Sequence, residues 1–211
     1  MSTFYSEEPE DKLRYTAEFD KFYTRFARLY DLLIKILPLW GYWLKRALPY
    51  IKGPRVLEVS FGTGYLMTQY AGDFEVYGVD YNSAMVRIAK WNIEKRDLKA
   101  RLQQADVYNL PYSNNSVNTI VNTMSFSGYP DGQQAMSEMI RVLKPGGRLV
   151  MIDINFPHNQ NWFGILLARF WEASGDIIRD MRELFERSGM ECMDEEIGGY
   201  GSVHLYVTEN S

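Results

Sequence analysis

The chain has 211 residues, 46% hydrophobic and 15% aromatic, which is enough to bury one large core and favours a single domain over residues 1–211. A net charge of -4 and a pI near 5.3 offer no broad attraction to phosphate backbones, so nucleic acid is not an expected partner and small molecules come first. The single cysteine, Cys192, excludes an internal disulfide and a multi-cysteine zinc site, so no metal is expected. The acidic start MSTFYSEEPEDK and the want of roughly 18 uninterrupted apolar residues point to a cytoplasmic chain that does not span a membrane.

From Glu10 to about Arg46, Phe19, Phe22, Tyr23, Phe26, Tyr30 and Leu33 recur at three- and four-residue steps, the period of one helix face. An N-terminal helical extension follows from this, broken at Pro38 and again near Pro49. After Gly53-Pro54, β-rich runs at Arg55–Ser60, Glu75–Val79, Ala100–Ala105, Val117–Asn122 and Arg148–Ile154 alternate with helical ones. Helices are expected from Thr63, over Ser83 to about Lys95, and over Gly132 to Leu143. This alternation predicts a parallel sheet covered on both faces. Lys144-Pro145-Gly146-Gly147 reads as a tight turn between helix and fifth strand. Asp176 to Ser188 reads as an amphipathic helix stopped by Gly189. Met190–Ile197 and Ser202–Thr208 read as closing strands joined through Gly198-Gly199-Tyr200-Gly201.

The stretch Val56 to Leu66, VLEVSFGTGYL, carries an acid in mid-strand and then a glycine turn. In an open parallel sheet that first turn touches the ligand. A dinucleotide turn needs G-x-G-x-x-G, and two of its three glycines are missing here, Gly64 being out of that spacing. Glu58 would repel a pyrophosphate but suits a ligand with an ammonium group and a sulfonium. Asp80 ends the second strand, 80 − 58 = 22 positions after Glu58, where an acid can accept both hydroxyls of an adenosine ribose, with Tyr81 or Met85 beside the purine. The site thus reads as one for a nucleoside with a cationic tail.

With VYGVDYNSAMV, ADVYNLPYSNNSV and MIRVLKPGGRLVMID following in order, the chain resembles the class I S-adenosylmethionine-dependent methyltransferases, within the group that includes quinone-biosynthesis and phospholipid enzymes. The match runs from about Val56 to Ile154. It implies an α/β fold: a Rossmann-like three-layer αβα sandwich with a seven-stranded, mostly parallel sheet, an antiparallel last strand and the N-terminal helical extension. It divides the domain into a helical lid (10–50), a cofactor-binding core (54–155), and an acceptor-side segment with closing strands (156–211). By the same resemblance, S-adenosyl-L-methionine is the cofactor. Gly62 and Gly64 approach its amino-acid end, Asp80 its ribose, and Asp106 and Val107 its adenine. Asn122 to Met124 line the methyl-donor side, and Tyr23 or, by preference, Tyr30 bonds its carboxylate from the lid. The sequence departs from the family at Ser60, where glycine is usual, at Glu58, the longer of the two usual acids, and at Val117-Asn118, where Phe-Asp is usual. Ser60 keeps the turn small but is strained if the position requires φ > 0.

Methyl transfer is an in-line displacement that needs alignment, exclusion of water, and a base only when the acceptor must lose a proton. No base stands out; His158, in the loop after the fifth strand, is the one weak candidate, while His204 and Cys192 read as packing residues. Two apolar stretches, Leu32–Leu44 and Asn161–Leu167, exceed what one covered helix face needs. They suggest a small, apolar or lipid-like acceptor or a peripheral membrane contact, with core packing or a subunit surface as alternatives. A sensor or scaffold that binds the cofactor without catalysis stays open, as do the acceptor atom and the oligomeric state.

Overall fold

A computed structural model describes residues 4–36 and 38–210, with the side chains at 22, 26–31, 33–36 and 38 outside that description. The expected lid face therefore stands on Phe19 and Tyr23, while the positions of Phe22, Phe26, Tyr30 and Leu33 fall among those undescribed side chains. The extension forms helices α1 (Lys12–Ile36) and α2 (Pro38–Lys45). Strands β1 (Arg55–Val59), β2 (Glu75–Asp80), β3 (Arg101–Gln104) and β4 (Val117–Thr123) follow, with helices α3 (Met67–Tyr70) and α4 (Ser83–Glu94) between the first three. Helix α5 (Gly132–Val142), strand β5 (Leu143–Ile154), helices α6 (Trp162–Ala173) and α7 (Met181–Arg187), and strands β6 (Cys192–Gly198) and β7 (Val203–Glu209) complete the chain.

The seven strands form one sheet in the order β3-β2-β1-β4-β5-β7-β6. Pairing from β3 to β5 is parallel, and β7 runs antiparallel to both β5 and β6. Strand residues alternate between two core layers because successive side chains leave opposite faces. Leu57, Ile120, Leu149 and Met151 pack on one side with Met136 and Met139 of α5 and Phe185 of α7. Val56, Val121, Val150 and Ile152 pack on the other with Met67, Val86, Ala89 and Ile93 of α3 and α4. Burial on both faces is what makes these strands read as continuous apolar runs. Strand order reverses between β1 and β4, and that switch point opens a crevice at their carboxyl ends.

Three expected elements differ from the observed ones. The helix expected from Thr63 reduces to a turn followed by α3, since Gly62 and Gly64 hold φ values of 55° and 72°. The Lys144–Gly147 turn is instead part of β5: Gly146 N–H donates to Asn210 O (2.6 Å) and Asn210 N–H to Gly147 O (2.8 Å), so the glycines extend the pairing with the strand beyond β7. The helix expected from Asp176 begins only at Met181, with the Asp180 carboxylate accepting Glu183 N–H (3.0 Å) as its N-cap. Residues 176–179 bond elsewhere, Ile177 N–H to Ser127 O (2.7 Å) and Ile178 N–H to Ser6 Oγ (2.9 Å), which leaves Asp176 in a loop. Asn118 has a structural use, accepting Arg55 N–H (3.2 Å) where the chain joins β1. Among the described residues, no helix is long and apolar enough to cross a membrane.

Candidate functional site

A cleft of about 1210 Å³, counted out to its open mouth, lies at the carboxyl ends of β1, β2 and β4 beneath the N-terminal helices. Its floor is the turn after β1, and its first polar fixture is Asp80. This side chain is 7% exposed, and its two oxygens accept Gly62 N–H (2.8 Å) and Asn82 N–H (2.9 Å). The carboxylate thereby fixes both the glycine turn and the start of α4, while each oxygen keeps lone-pair capacity for a ligand. Burial pushes its pKa up to about 7, against the pull of those two N–H groups.

Glu58 also lines the cleft and is fully buried, with Tyr70 Oη donating to its Oε2 (2.6 Å). Desolvation raises its pKa to about 8, the Tyr70 bond opposes this, and the Asp80 carboxylate adds to it. Two poorly solvated acids on one wall favour a ligand that brings positive charge and disfavour an anion.

The floor is tied to the end of β4 by a buried polar cluster. Ser60 Oγ and Tyr129 Oη are 2.6 Å apart, and Asn122 Nδ2 donates to Tyr129 Oη (2.9 Å), Val59 O (3.0 Å) and Ser125 Oγ (2.9 Å). Ser60 holds φ 54° and Met124 φ 53°, so a non-glycine residue sits in the left-handed region at the end of β1 and just beyond β4. Such backbone conformations concentrate at functional sites.

The roof is α1, anchored across the opening. On one side Asn82 Nδ2 donates to Asp20 O, Asp20 Oδ1 and Thr24 Oγ1 at 3.1, 2.8 and 2.7 Å. On the other, Tyr15 Oη donates to Gly175 O (2.6 Å). Phe19, Tyr23 and Trp40 give this roof an aromatic lining. Beside Gly175 the wall carries Asp176, whose Oδ1 accepts from Ser127 Oγ (2.9 Å). Desolvation, and after it the Asp153 carboxylate, push the Asp176 pKa up to about 7, against the lowering pull of the Ser127 bond.

Of the residues singled out in the sequence, Glu58, Ser60, Gly62, Asp80, Tyr81, Met85, Asp106, Val107 and Met124 line this cleft. Asp106 also caps the turn after β3, accepting Tyr108 N–H (3.0 Å). Gly64 does not line the cleft: a Cβ there would lie 3.1 Å from the Ala89 Cβ, so its bareness serves the packing of α4. Asn122 lies wholly buried beneath the floor rather than facing the cleft. His158 is also outside the lining, turned instead toward Asp194 and Glu196 on β6. Tyr30 falls among the undescribed side chains. Asp176 and Tyr129 were missed, because each reaches the cleft from a segment without a motif, while Trp40 belongs to the Leu32–Leu44 stretch read as a possible acceptor surface. For Asp176 the available signal was Gly175, whose φ of 110° follows the end of α6.

The lining suits a zwitterionic nucleoside sulfonium. Trp40 Nε1 and Thr63 Oγ1 belong to cleft-lining residues and are buried without a hydrogen-bond partner among the described residues, which leaves an unused donor and an unused hydroxyl beside Glu58 and Asp80. A buried polar atom without a partner costs about 1–3 kcal/mol, which a ligand carrying a carboxylate and an ammonium can recover.

Comparison with known proteins agrees. The family described as "Methyltransferase domain" matches residues 56–147. Demethylmenaquinone methyltransferase of Thermus thermophilus is 32% identical over 158 residues, covering 71% of this chain and 71% of that protein. The ubiquinone/menaquinone biosynthesis C-methyltransferase UbiE of Geotalea daltonii is 28% identical over 142 residues, 62% of this chain and 60% of that protein. A SAM-dependent methyltransferase from Aquifex aeolicus shares the fold at a TM-score of 0.62 and 20% identity, over 80% of this chain and 89% of its own. The fold alone would leave the reaction open. With the sequence relationship added, this chain is an enzyme of the class I S-adenosylmethionine-dependent methyltransferase family, and S-adenosylmethionine is its cofactor.

Proposed function

We propose that the acceptor is an apolar aromatic small molecule of the demethylated-quinone class, entering under the N-terminal helices. The observation that carries this reading is one half-buried carboxyl, Asp176, which lines the cleft together with Phe19, Tyr108, Tyr129 and Met124. An apolar ring gains from the aromatic surfaces, while a ring hydroxyl needs one polar partner. The names of the Thermus and Geotalea relatives support the same acceptor class. So does the exposed apolar side of α6, where Trp162, Phe163, Leu166 and Phe170 are 64%, 48%, 60% and 59% exposed, with Leu39 and Tyr42 of α2 each at 58%. The ring centroids of Trp40 in α2 and Trp171 in α6 are 6.1 Å apart, so the two exposed surfaces belong to adjoining helices. A long apolar tail on the acceptor, or the lipid phase that holds it, would cover them.

The residue roles follow from the chemistry of each group. Bound S-adenosylmethionine supplies an electrophilic methyl on a sulfonium centre. Asp80 accepts the ribose hydroxyls, Gly62 leaves bare backbone at the amino-acid end, and Met85 and Val107 flank the purine. Trp40 Nε1 donates to the carboxylate, and Glu58 compensates the positive charge. Asp176 takes the proton that a ring hydroxyl gives up as the ring becomes nucleophilic, a task suited to a base with a pKa near the working pH. The helical roof excludes water while the ring and the methyl donor are held in line.

The experiment is turnover with S-adenosylmethionine and a demethylated naphthoquinol, with and without a prenyl tail, read by mass spectrometry. The expected result is a monomethylated product with a higher kcat/KM for the tailed acceptor. Methylation of polar acceptors alone, or equal use of tailed and tail-less rings, refutes the apolar assignment.

A further inference from the structure

We propose that His158, Glu196 and His204 form a binding site for a divalent transition-metal ion of the zinc class, clasping the segment after β5 to the closing β6–β7 hairpin. One ligand atom from each of these residues lies within 4.8 Å of the others. His204 stands on β7 and Glu196 on β6, paired across the hairpin, and His158 comes four residues after β5. None of the three lines the cleft, so the ion sits apart from the methyl-transfer chemistry.

The hydrogen bonds assign the free lone pairs. Asp194 Oδ1 is 2.6 Å from His204 Nδ1, and Asp194 Oδ2 is 2.9 Å from His158 Nε2. Asp194 is a carboxylate, and it presents one acceptor oxygen to each of these ring nitrogens. Both of those ring nitrogens therefore carry the proton, which leaves His204 Nε2 and His158 Nδ1 as lone-pair nitrogens. His204 is fully buried, and its Nε2 has no partner among the described residues. His158 Nδ1 faces Glu196 Oε1 at 3.5 Å, acceptor toward acceptor. That is too long for a good hydrogen bond, yet close to the roughly 3.4 Å that separates two ligands each about 2.1 Å from a tetrahedral zinc.

Asp194 is the positioning residue: one carboxylate orients both imidazoles through their second nitrogens, the usual outer-shell arrangement of metal-binding histidine. Glu196 is oriented in turn by the His158 backbone N–H, which donates to its Oε1. Two imidazoles and a carboxylate suit zinc and its neighbours, with water completing the coordination. Reading the sequence for cysteine pairs misses such a site, because its residues are separated by 38 and 8 positions (196 − 158 and 204 − 196) and meet only through the hairpin register.

The test uses the full chain after chelator treatment, titrated with Co²⁺ and then with Zn²⁺ in competition. One equivalent is expected to bind, with the visible absorption of low-coordinate cobalt. His158→Ala and Glu196→Gln should erase that absorption and weaken zinc binding by more than about tenfold, and Asp194→Asn should weaken it about 10- to 100-fold. His158 is exposed, so its replacement leaves the core intact even if His204→Ala fails to fold. Cys192→Ser should leave binding unchanged. No binding by the unmodified chain, or equal affinity in His158→Ala, overturns the proposal.

Discussion

Replacing Asp80 by Asn should move stability and cofactor affinity in opposite directions. The folded Asp80 titrates at about 7 against an ordinary 3.8 because it is buried. For an acid with a raised folded pKa, the folded state binds the proton more tightly, so stability is fully present below about pH 4 and is lost as pH rises toward 7. At 1.36 kcal/mol per unit, the raised pKa costs the free protein about 4 kcal/mol by pH 8.5, and about 2 kcal/mol at pH 5.5, where folding must take up a proton. Asparagine is neutral like the protonated acid, but it offers one acceptor oxygen, to either Gly62 N–H or Asn82 N–H, and turns an amide donor toward the other, a loss of about 1–3 kcal/mol. The ligand-free variant should still be more stable than the parent, by an increment that grows with pH. At roughly 2–4 °C per kcal/mol for a chain of this size, a net gain of about 1–3 kcal/mol at pH 8.5 is a rise of several °C.

Affinity should fall instead. One of the two charge-assisted acceptors for the ribose is lost, worth about 1.5–3 kcal/mol or roughly ten- to a hundredfold in Kd. Thermal unfolding without ligand at pH 5.5 and 8.5, with calorimetric titration of S-adenosylmethionine at pH 8.5, separates the two effects. Asp180→Ala, which removes the α7 cap away from the cleft, serves as a control that lowers stability and leaves Kd unchanged. A lower melting temperature for Asp80→Asn at pH 8.5 would show that the two backbone hydrogen bonds outweigh burial. An unchanged Kd would remove Asp80 from the ribose.

Two further outcomes are expected. Ser60→Gly relieves a left-handed serine and forgoes the contact with Tyr129 Oη, so stability should stay within about 1 kcal/mol and cofactor affinity within a few-fold; Ser60→Val, branched at Cβ and at the same φ, should lose both. Loss of binding in Ser60→Gly would make the hydroxyl a ligand contact. Asp176→Asn should lower kcat more than it raises KM and remove a limb of the rate profile that ascends through about pH 7, since the base acts when deprotonated. The charged neighbour that raises that limb is Asp153 on β5, while Tyr15 on α1 is shifted in turn by Asp176. An unshifted profile in Asp176→Asn excludes it as the base.

The sheet was legible in the sequence because both of its faces are covered, so Val56-Leu57, Thr119-Ile120-Val121 and Leu149–Ile152 read as apolar runs at the right spacing. Glu58, Gly62 and Asp80 were legible as cleft residues because the cleft opens at successive strand ends, where sequence order and spatial order coincide. The other wall was not. Tyr129 and Asp176 come from two segments joined only by tertiary packing, and Asp176 was hidden in a pattern that reads as helix until Gly175 and the Asp180 cap are given their weight. The paired histidines escaped for a similar reason: His204 is buried, as a packing residue would be, and only the β6–β7 register brings Asp194 to its ring.

Ser60, where the chain leaves its family's usual glycine, illustrates how the cleft is held. A left-handed L-residue costs roughly 1–2 kcal/mol relative to glycine. The hydroxyl recovers about 1 kcal/mol through its contact with Tyr129 Oη, and that contact joins the end of β1 to Asn122 and Ser125 at the end of β4. Glycine would remove both the cost and the tie. Glu58 and Asp80, both buried, and Asp176, half-buried, work in the same sense, each desolvated at a penalty that polar partners only partly offset. Elsewhere in the sheet propensity, pattern and packing agree; around the switch point they do not, and the disagreement falls on groups that a cationic ligand or a proton donor would relieve. That is why replacing a cleft acid by its neutral isostere should stabilise the free protein, whereas replacing a core residue such as Ile120 should not.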